Sequence, residues 1–213
     1  MTTDPSKGLG PGHNRVLLTP EQKAAGIERI LSERPEGVPF RVFAFGSLMW
    51  NPECRVRSTF TATVHDHQRR FQIWSTRARG TPEQPGLGLC LVPEPGQACQ
   101  GLVLELDEDH LDDDLKVLWD REQNSGVYRP SWIPAASVEG PVLVMAFVAV
   151  PEHPHYVPPM PRERMAEIMA QAQGRYGTNH DYLVRLLEVM DLLGAEDPEL
   201  IALDESIRAC SGC

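Results

Sequence analysis

The sequence predicts an α+β fold: a curled sheet or small mixed β-barrel with flanking helices. Two observations carry this. Between Phe40 and Val150 the apolar pattern is mostly that of strands, whereas from Arg162 onwards it is that of amphipathic helices. Strands and helices segregated in this way favour α+β over an alternating architecture. The length, 213 residues, suits one domain with a substantial core. The expected organisation is a lead and capping helix at 1–38, a central domain at 39–195, and a C-terminal helix and tail at 196–213 packed on that domain.

Residues 1–18 hold Gly8, Gly10, Pro11 and Gly12 without periodicity and read as a flexible lead. Thr19-Pro20-Glu21-Gln22 then starts a helix: Thr19 as N-cap, Pro20 at the first helical position, Gln22 closing a capping box. Ala24, Ile27, Ile30 and Leu31 give that helix its apolar side, and it should end near Arg34-Pro35. Next comes a strand through Val42, Phe43 and Phe45 that stops on Gly46-Ser47. On this stretch alone two readings stay open. One is a buried strand ending at a surface turn. The other is a turn whose successive N–H groups converge on an anion such as a carboxylate, with Gly46 putting no side chain in the way.

Residues 59–65, 70–74, 87–92, 101–106 and 142–150 are the further strand candidates. The last is almost continuously apolar and is expected to lie centrally, covered on both faces. Before it runs a helix with Asp107 as N-cap and an acidic opening of Glu108, Asp109, Asp112, Asp113 and Asp114. The earliest of these acids suit the positive end of the helix dipole, and the run reads as a solvated face. Leu111, Leu115 and Leu118 form the buried stripe, and Glu122 follows four residues later. If the helix persists that far, its carboxylate points along the apolar stripe into the interior. A buried carboxylate is costly without partners or a function. Periodicity leaves three readings: a functional acid, a helix that frays at Asp120 and exposes Glu122, or a buried ion pair with Arg121 or Arg129.

The proline-rich stretch 151–159 carries His153 and His155 but no third metal ligand at a recognisable spacing, and reads as a surface loop. A helix is predicted over 162–173, with Met165, Ile168, Met169 and Ala172 on one face and Gly174 as its stop. Thr178 opens the next, with Asp181 three residues on and a stripe of Leu183, Leu186, Leu187, Met190 and Leu193. Asp197-Pro198 begins a last helix with Leu200, Leu203 and Ile207. The closing Cys210-Ser211-Gly212-Cys213 has no second cysteine pair to complete a zinc site and reads as incidental.

A net charge of −10 argues against nucleic acid or an anionic membrane as partner, since either needs a basic face. No apolar run reaches the ~18–20 residues that span a bilayer, and the first residues lack the pattern of a signal peptide. Five scattered cysteines make no disulfide framework. The cytoplasm is the expected compartment.

Two segments together carry a family resemblance. Phe45-Gly46-Ser47-Leu48-Met49-Trp50 is similar to a Tyr-Gly-Ser-Leu motif followed by an apolar residue and Trp. Arg121-Glu122 with Gly126-Val127-Tyr128 is similar to an Arg-Glu pair followed by Gly and Tyr. Arg79-Gly80-Thr81-Pro82-Glu83 with Pro85-Gly86, and Gly177-Thr178-Asn179-His180-Asp181-Tyr182-Leu183, follow in the right order. In these segments the chain resembles the ChaC family of γ-glutamylcyclotransferases, from about Phe40 to about Gly194.

The resemblance implies a γ-glutamylcyclotransferase-like fold, a small mixed barrel with helices. It also implies a reaction in which the α-amine of a γ-glutamyl unit attacks that unit's own γ-amide, releasing 5-oxoproline. Glutathione would be the substrate and cysteinylglycine the second product, with no metal or organic cofactor. Glu122 would carry the proton, and Ala44, Phe45, Gly46, Ser47, Leu48, Met49 and Tyr128 would hold the substrate, the turn through its backbone N–H groups. Two departures bear on this. Phe45 stands where the family has Tyr, so a hydroxyl contact is absent while backbone contacts survive. The run from Trp74 to Arg79 also departs from the family's usual Ser-x-Asp-His-Arg, which touches substrate preference. The rival readings are a cyclotransferase for other γ-glutamyl compounds and a non-catalytic module that binds a γ-glutamyl ligand or a protein partner.

Overall fold

The computed structural model describes residues 17–211. Most of the expected lead and the terminal Cys213 therefore lie outside the described residues. Helix α1 (Pro20–Ser32) begins on the predicted capping box: Thr19 Oγ1 accepts from the Gln22 N–H at 3.3 Å, and Gln22 Oε1 accepts from the Thr19 N–H at 2.8 Å.

Five strands close into a barrel in the order β1-β3-β2-β4-β5, with β5 returning to β1. They are β1 (Arg41–Ala44), β2 (Val56–Ser75), β3 (Gly86–Leu106), β4 (Tyr128–Ser137) and β5 (Gly140–Ala149). β1 lies antiparallel to β3 from Arg41↔Glu105 to Ala44↔Leu102 and parallel to β5 at Val42↔Met145. β5 is flanked by β4 and β1, and Val144 to Ala149 are all buried, as the unbroken apolar run predicts.

Two features differ from the sequence prediction. The candidates at 59–65 and 70–74 join into β2, and those at 87–92 and 101–106 join into β3. Pro93, Pro95 and Gly96 look like a chain break but form a bulge: His65 faces Ala98 while His67 faces Pro93. Asp66 (φ +56°) and Gly96 (φ +82°) turn the chain there, and Asp66 Oδ1 accepts from the Gly96 N–H at 2.8 Å. Such a bulge bends and twists a strand, which lets one hairpin wrap the barrel. Strand β4 gives no clear signal in sequence because Pro130 and Pro134 interrupt it. It pairs along its whole length with β5 but only at two positions with β2.

Helix α2 (Leu111–Glu122) buries Leu111, Leu115, Leu118 and Trp119. Of the acidic run at and before its start, Asp109, Asp112 and Asp113 are exposed, Glu108 is exposed but pairs with Arg34 and accepts the Phe40 N–H at 2.9 Å, and Asp114 is buried. The correction has a simple cause: Asp114 pairs with Arg55, Oδ1 to Nη2 at 3.0 Å, and accepts the Arg55 N–H at 3.1 Å. Helices α3 (Arg162–Gln171), α4 (Asn179–Leu192) and α5 (Pro198–Ser211) follow, with the two-residue strands β6 (Gln173–Gly174) and β7 (Gly177–Thr178) before α4. The predicted cap of α4 is present, Thr178 Oγ1 accepting from the Asp181 N–H at 3.0 Å. One apolar cluster fills the barrel around Phe43, Val103 and Val144. A larger one joins the barrel wall to the helices through Phe71, Trp119, Phe147, Leu186 and Leu203.

Helices α1 and α2 meet where Gly26 faces Trp119: a Cβ at Gly26 would lie 2.7 Å from the indole Nε1. On an open helix Gly→Ala stabilises by about 1 kcal/mol. Here we expect the opposite sign, because Trp119 is 1 % exposed and wedged edge-on against Phe147. Urea unfolding of Gly26→Ala checks it: the midpoint should fall, and a raised midpoint would show that the indole yields freely.

Candidate active site

Glu122 is the last residue of α2, on the face of Leu111, Leu115 and Leu118. The fraying alternative is excluded. Helical hydrogen bonding runs through to the Gln123 N–H, which donates to Trp119 O at 2.8 Å, and buried Gln123 donates Nε2–H to Tyr128 O at 2.9 Å. The ion-pair alternative is realised with Arg121, whose Nε lies 3.0 Å from Glu122 Oε1. The Glu122 side chain keeps 20 % of its accessible surface. Burial nonetheless pushes its pKa up, against the pull of Arg121 and with a smaller push from Glu53.

Arg121 does more than neutralise. Its Nη2 donates to Ser47 Oγ at 2.8 Å, and its Nη1 donates to Asn51 O and lies 3.6 Å from Glu53. One guanidinium thus joins the carboxylate to the Gly46-Ser47 turn. That turn follows β1 and closes on itself as a 3-10 turn, Ser47–Met49, with the Met49 N–H donating to Gly46 O at 2.9 Å. Gly46 has φ −143°, so it is not glycine for the sake of a left-handed conformation. Its constraint is space: a Cβ there would sit 2.8 Å from Tyr182 Oη and 3.1 Å from Leu89 Cδ2.

The other residues singled out in the sequence divide by position. Ala44 is fully buried in the β1–β3 ladder. Phe45 stacks on Phe43 with ring centroids 6.4 Å apart, and its carbonyl accepts from Arg69 Nη1 at 3.2 Å. Leu48 and Met49 are buried and join the larger core cluster, so their side chains serve packing and the Met49 amide is already engaged. Tyr128 starts β4 beside the carboxylate. Its hydroxyl donates to Leu89 O at 2.9 Å, and burial, with the neighbouring Cys90, Glu122 and Tyr182, pushes its pKa well above the usual range.

Tyr182 reaches the turn at Gly46, and Arg79 stacks on its ring, although spacing gave neither a role. Burial and the Glu122 charge push the Tyr182 phenol up to about 12, against the Ser47 amide and hydroxyl and the Arg79 charge. The only signal in sequence was that both lie in segments resembling the family. His153 and His155 pack against each other at 5.5 Å between ring centroids, and His153 Nε2 lies 2.9 Å from Ser125 O. No group of three side chains able to hold a metal ion occurs among the described residues. Clefts of about 240 and 260 Å³ open elsewhere, beside Arg34 and Glu108 and beside Arg70 and Met165, and neither includes Glu122. A carboxylate of raised pKa, two protonated phenols and an arginine around a tight turn can accept and return a proton beside a bound polar group.

The family model described as ChaC-like protein matches residues 40–210. The chain belongs to the ChaC-like family. Within it, the Escherichia coli (strain K12) protein named glutathione-specific γ-glutamylcyclotransferase is 34 % identical over 209 residues, 98 % of this chain and 90 % of its own length. The Homo sapiens protein named glutathione-specific γ-glutamylcyclotransferase 1 is 29 % identical, over 81 % of this chain and 80 % of its own length. The fold matches a yeast crystal structure described as a γ-glutamyl cyclotransferase specific to glutathione, with TM-score 0.75 and 21 % identity over 81 % of this chain and 97 % of that one. That likeness extends the ChaC-like assignment to the fold.

The raised pKa makes a stability prediction independent of activity. An acid whose folded pKa lies above the unfolded value of 4.5 binds more protons when folded, so its contribution to stability falls as pH rises through that window. Glu122→Gln removes the titration. Its unfolding midpoint in urea should gain on wild type as the pH rises from 4.5 upwards. A gap that stays constant over that range would mean the carboxylate ionises as it does in water.

Proposed function

We propose that this chain is a γ-glutamylcyclotransferase that acts on glutathione, the activity named for its bacterial and animal relatives. The observation that carries the chemistry is the position of Glu122: a carboxylate of raised pKa tied through Arg121 to the Gly46-Ser47 turn. The substrate's α-amine, largely protonated near neutral pH, gives up a proton and attacks the γ-carbonyl carbon. A carbon–nitrogen bond closes the five-membered lactam as the amide carbon–nitrogen bond breaks. The attacking nitrogen sheds two protons between ammonium and lactam N–H, and the departing nitrogen gains two on becoming the ammonium of cysteinylglycine. Glu122 relays one of them during bond exchange and the other passes through solvent, so no net proton is consumed.

The turn supplies the positioning, which matters because the glutamyl unit must fold back on itself. Substrate contacts at Gly46 and Ser47 come from the centre of the segment, beside Tyr182 and Tyr128. Glu122, with the backbone N–H groups from Phe45 to Leu48 and with Tyr128, is our assignment of the site, because Ala44 lies in the β1–β3 ladder and the Met49 N–H is taken by Gly46 O. We place the enzyme in the cytoplasm, because Cys54, Cys90, Cys99 and Cys210 are free thiols, the state that a reducing compartment maintains. Among the described residues no helix is long and apolar enough to cross a membrane.

Purified protein incubated with glutathione and with several γ-glutamyl dipeptides, assayed for 5-oxoproline, tests the substrate. Glutathione should be the preferred member of the set. Glu122→Gln should stay folded and lose roughly 10²–10⁴-fold in turnover, the usual range for a positioned acid–base group, with a smaller effect on affinity for 5-oxoproline. A folded variant that turns over near the wild-type rate would remove Glu122 from the mechanism.

A further inference from the structure

Arg79 lies in the loop between β2 and β3, and its backbone is fixed from two sides. Its N–H donates to Ser75 Oγ at 2.9 Å, while the flanking Arg77 and Ala78 carbonyls accept from the N–H groups of Arg175 (2.8 Å) and Tyr176 (3.1 Å). Glycines permit this approach: a Cβ at Gly86 would lie 2.3 Å from Arg79 O, and one at Gly174 would lie 2.5 Å from the Gly80 nitrogen. The guanidinium rests over the Tyr182 ring, with Cζ 5.0 Å from its centroid.

Its donors are unevenly used. Nη1 donates to Tyr176 O and, at 3.3 Å, to Thr178 O. Nε and Nη2 take no acceptor, and no carboxylate forms an ion pair with Arg79, among the described residues. Asp181, the nearby acid that bears on it, is committed elsewhere, its Oδ2 accepting from the Thr178 N–H at 3.3 Å. Partial burial pulls the Arg79 pKa down. A cation half withdrawn from water without a paired anion is in an unfavourable state. The unused Nε–Nη2 edge is the one that grips a carboxylate with two parallel hydrogen bonds.

We propose that this edge of Arg79 binds the glycine carboxylate of glutathione and so selects a leaving group that ends in a carboxylate. The inference rests on the cyclotransferase reading above. Glutathione has two carboxylates, and chemistry separates them. The α-carboxylate shares a carbon with the attacking amine, so it stays beside Glu122 and the turn. The glycine carboxylate lies at the far end of a two-residue leaving group that reaches at most about 7 Å. Tyr182 spans a comparable gap, with its hydroxyl end at Gly46 and Ser47 and its ring face under Arg79.

The test compares glutathione with its C-terminal glycinamide, which keeps every atom of the reacting centre and removes only the far charge. Wild type should lose roughly 10- to 100-fold in kcat/KM on amidation, the range for a hydrogen-bonded charge, mostly through KM. Arg79→Gln should lose a similar factor on glutathione yet turn over the glycinamide as wild type does, so that the two substrates become equivalent. Arg79→Lys, charged but without the fork, should fall between and serves as well if the Gln variant does not fold. A wild type indifferent to amidation overturns the proposal, as does a folded Arg79→Gln that slows both substrates equally. A wild type that forms 5-oxoproline from neither substrate sinks the cyclotransferase reading itself, a different failure.

Discussion

The site depends on the guanidinium of Arg121. Without it, α2 would deliver Glu122 to the end of its apolar stripe as an uncompensated charge, a state that costs several kcal/mol or forces protonation. With it, the carboxylate has a partner at 3.0 Å and the Ser47 hydroxyl has a donor at 2.8 Å. Neighbouring residues on a helix normally point in different directions. Here Arg121 Nε nonetheless reaches Glu122 Oε1, the carboxylate of the last helical residue. The pairing is also incomplete, since burial still outweighs Arg121 and leaves the pKa raised. A perfectly compensated carboxylate would be a poorer base for the proton transfer proposed for Glu122.

The second dependence is on the bent hairpin of β2 and β3. Its lower half forms the barrel wall, where Leu102 faces Ala44 at the end of β1. Its upper half, beyond the bulge at Asp66, stays in the barrel where Leu91 faces Val148 of β5, and carries Phe71 and Leu89 to the helices. Phe71 meets the Tyr182 ring edge-on with centroids 5.9 Å apart, and Leu89 O receives the Tyr128 hydroxyl at 2.9 Å. Two short hairpins could form the same wall but would not bring one continuous strand from the β1 ladder to the phenols. The bulge that hides the length of these strands in sequence is therefore what lets one strand pair run from β1 to Tyr128 and Tyr182.

Periodicity made the helices legible, because capping boxes and leucine stripes are local. Thr19 with Gln22 and Thr178 with Asp181 need only four residues to declare themselves, and Leu111, Leu115 and Leu118 point to Glu122 without tertiary information. What stayed hidden is non-local. Asp114 looks like one more acid on a solvated face until Arg55, 59 residues away in sequence, is seen to bury it. Strand β4 is disguised by prolines that cannot donate to a ladder, yet its long pairing with β5 tolerates them. Gly46 suggested an open cradle, whereas its missing side chain makes room for Tyr182 from a helix more than 130 residues further along. Arg79 has no periodic signature because its role comes from the free edge of a guanidinium stacked on that same ring.

The phenylalanine at position 45 can be placed on the same footing. Its ring packs with Phe43, which belongs to the cluster inside the barrel, and its carbonyl rather than its ring is held by the largely buried Arg69. The Phe45 ring is partly buried and packs against both apolar clusters. The phenols that feel the Glu122 charge are those of Tyr128 and Tyr182. Both are partly buried and held protonated near neutral pH, so neither competes with the carboxylate as a base, and Tyr128 gives its one O–H to Leu89 O. A phenylalanine at position 45 therefore leaves both of those phenols in place beside Glu122. What position 45 must preserve is its backbone, since the Phe45 carbonyl fixes the step at which β1 gives way to Gly46 and Ser47.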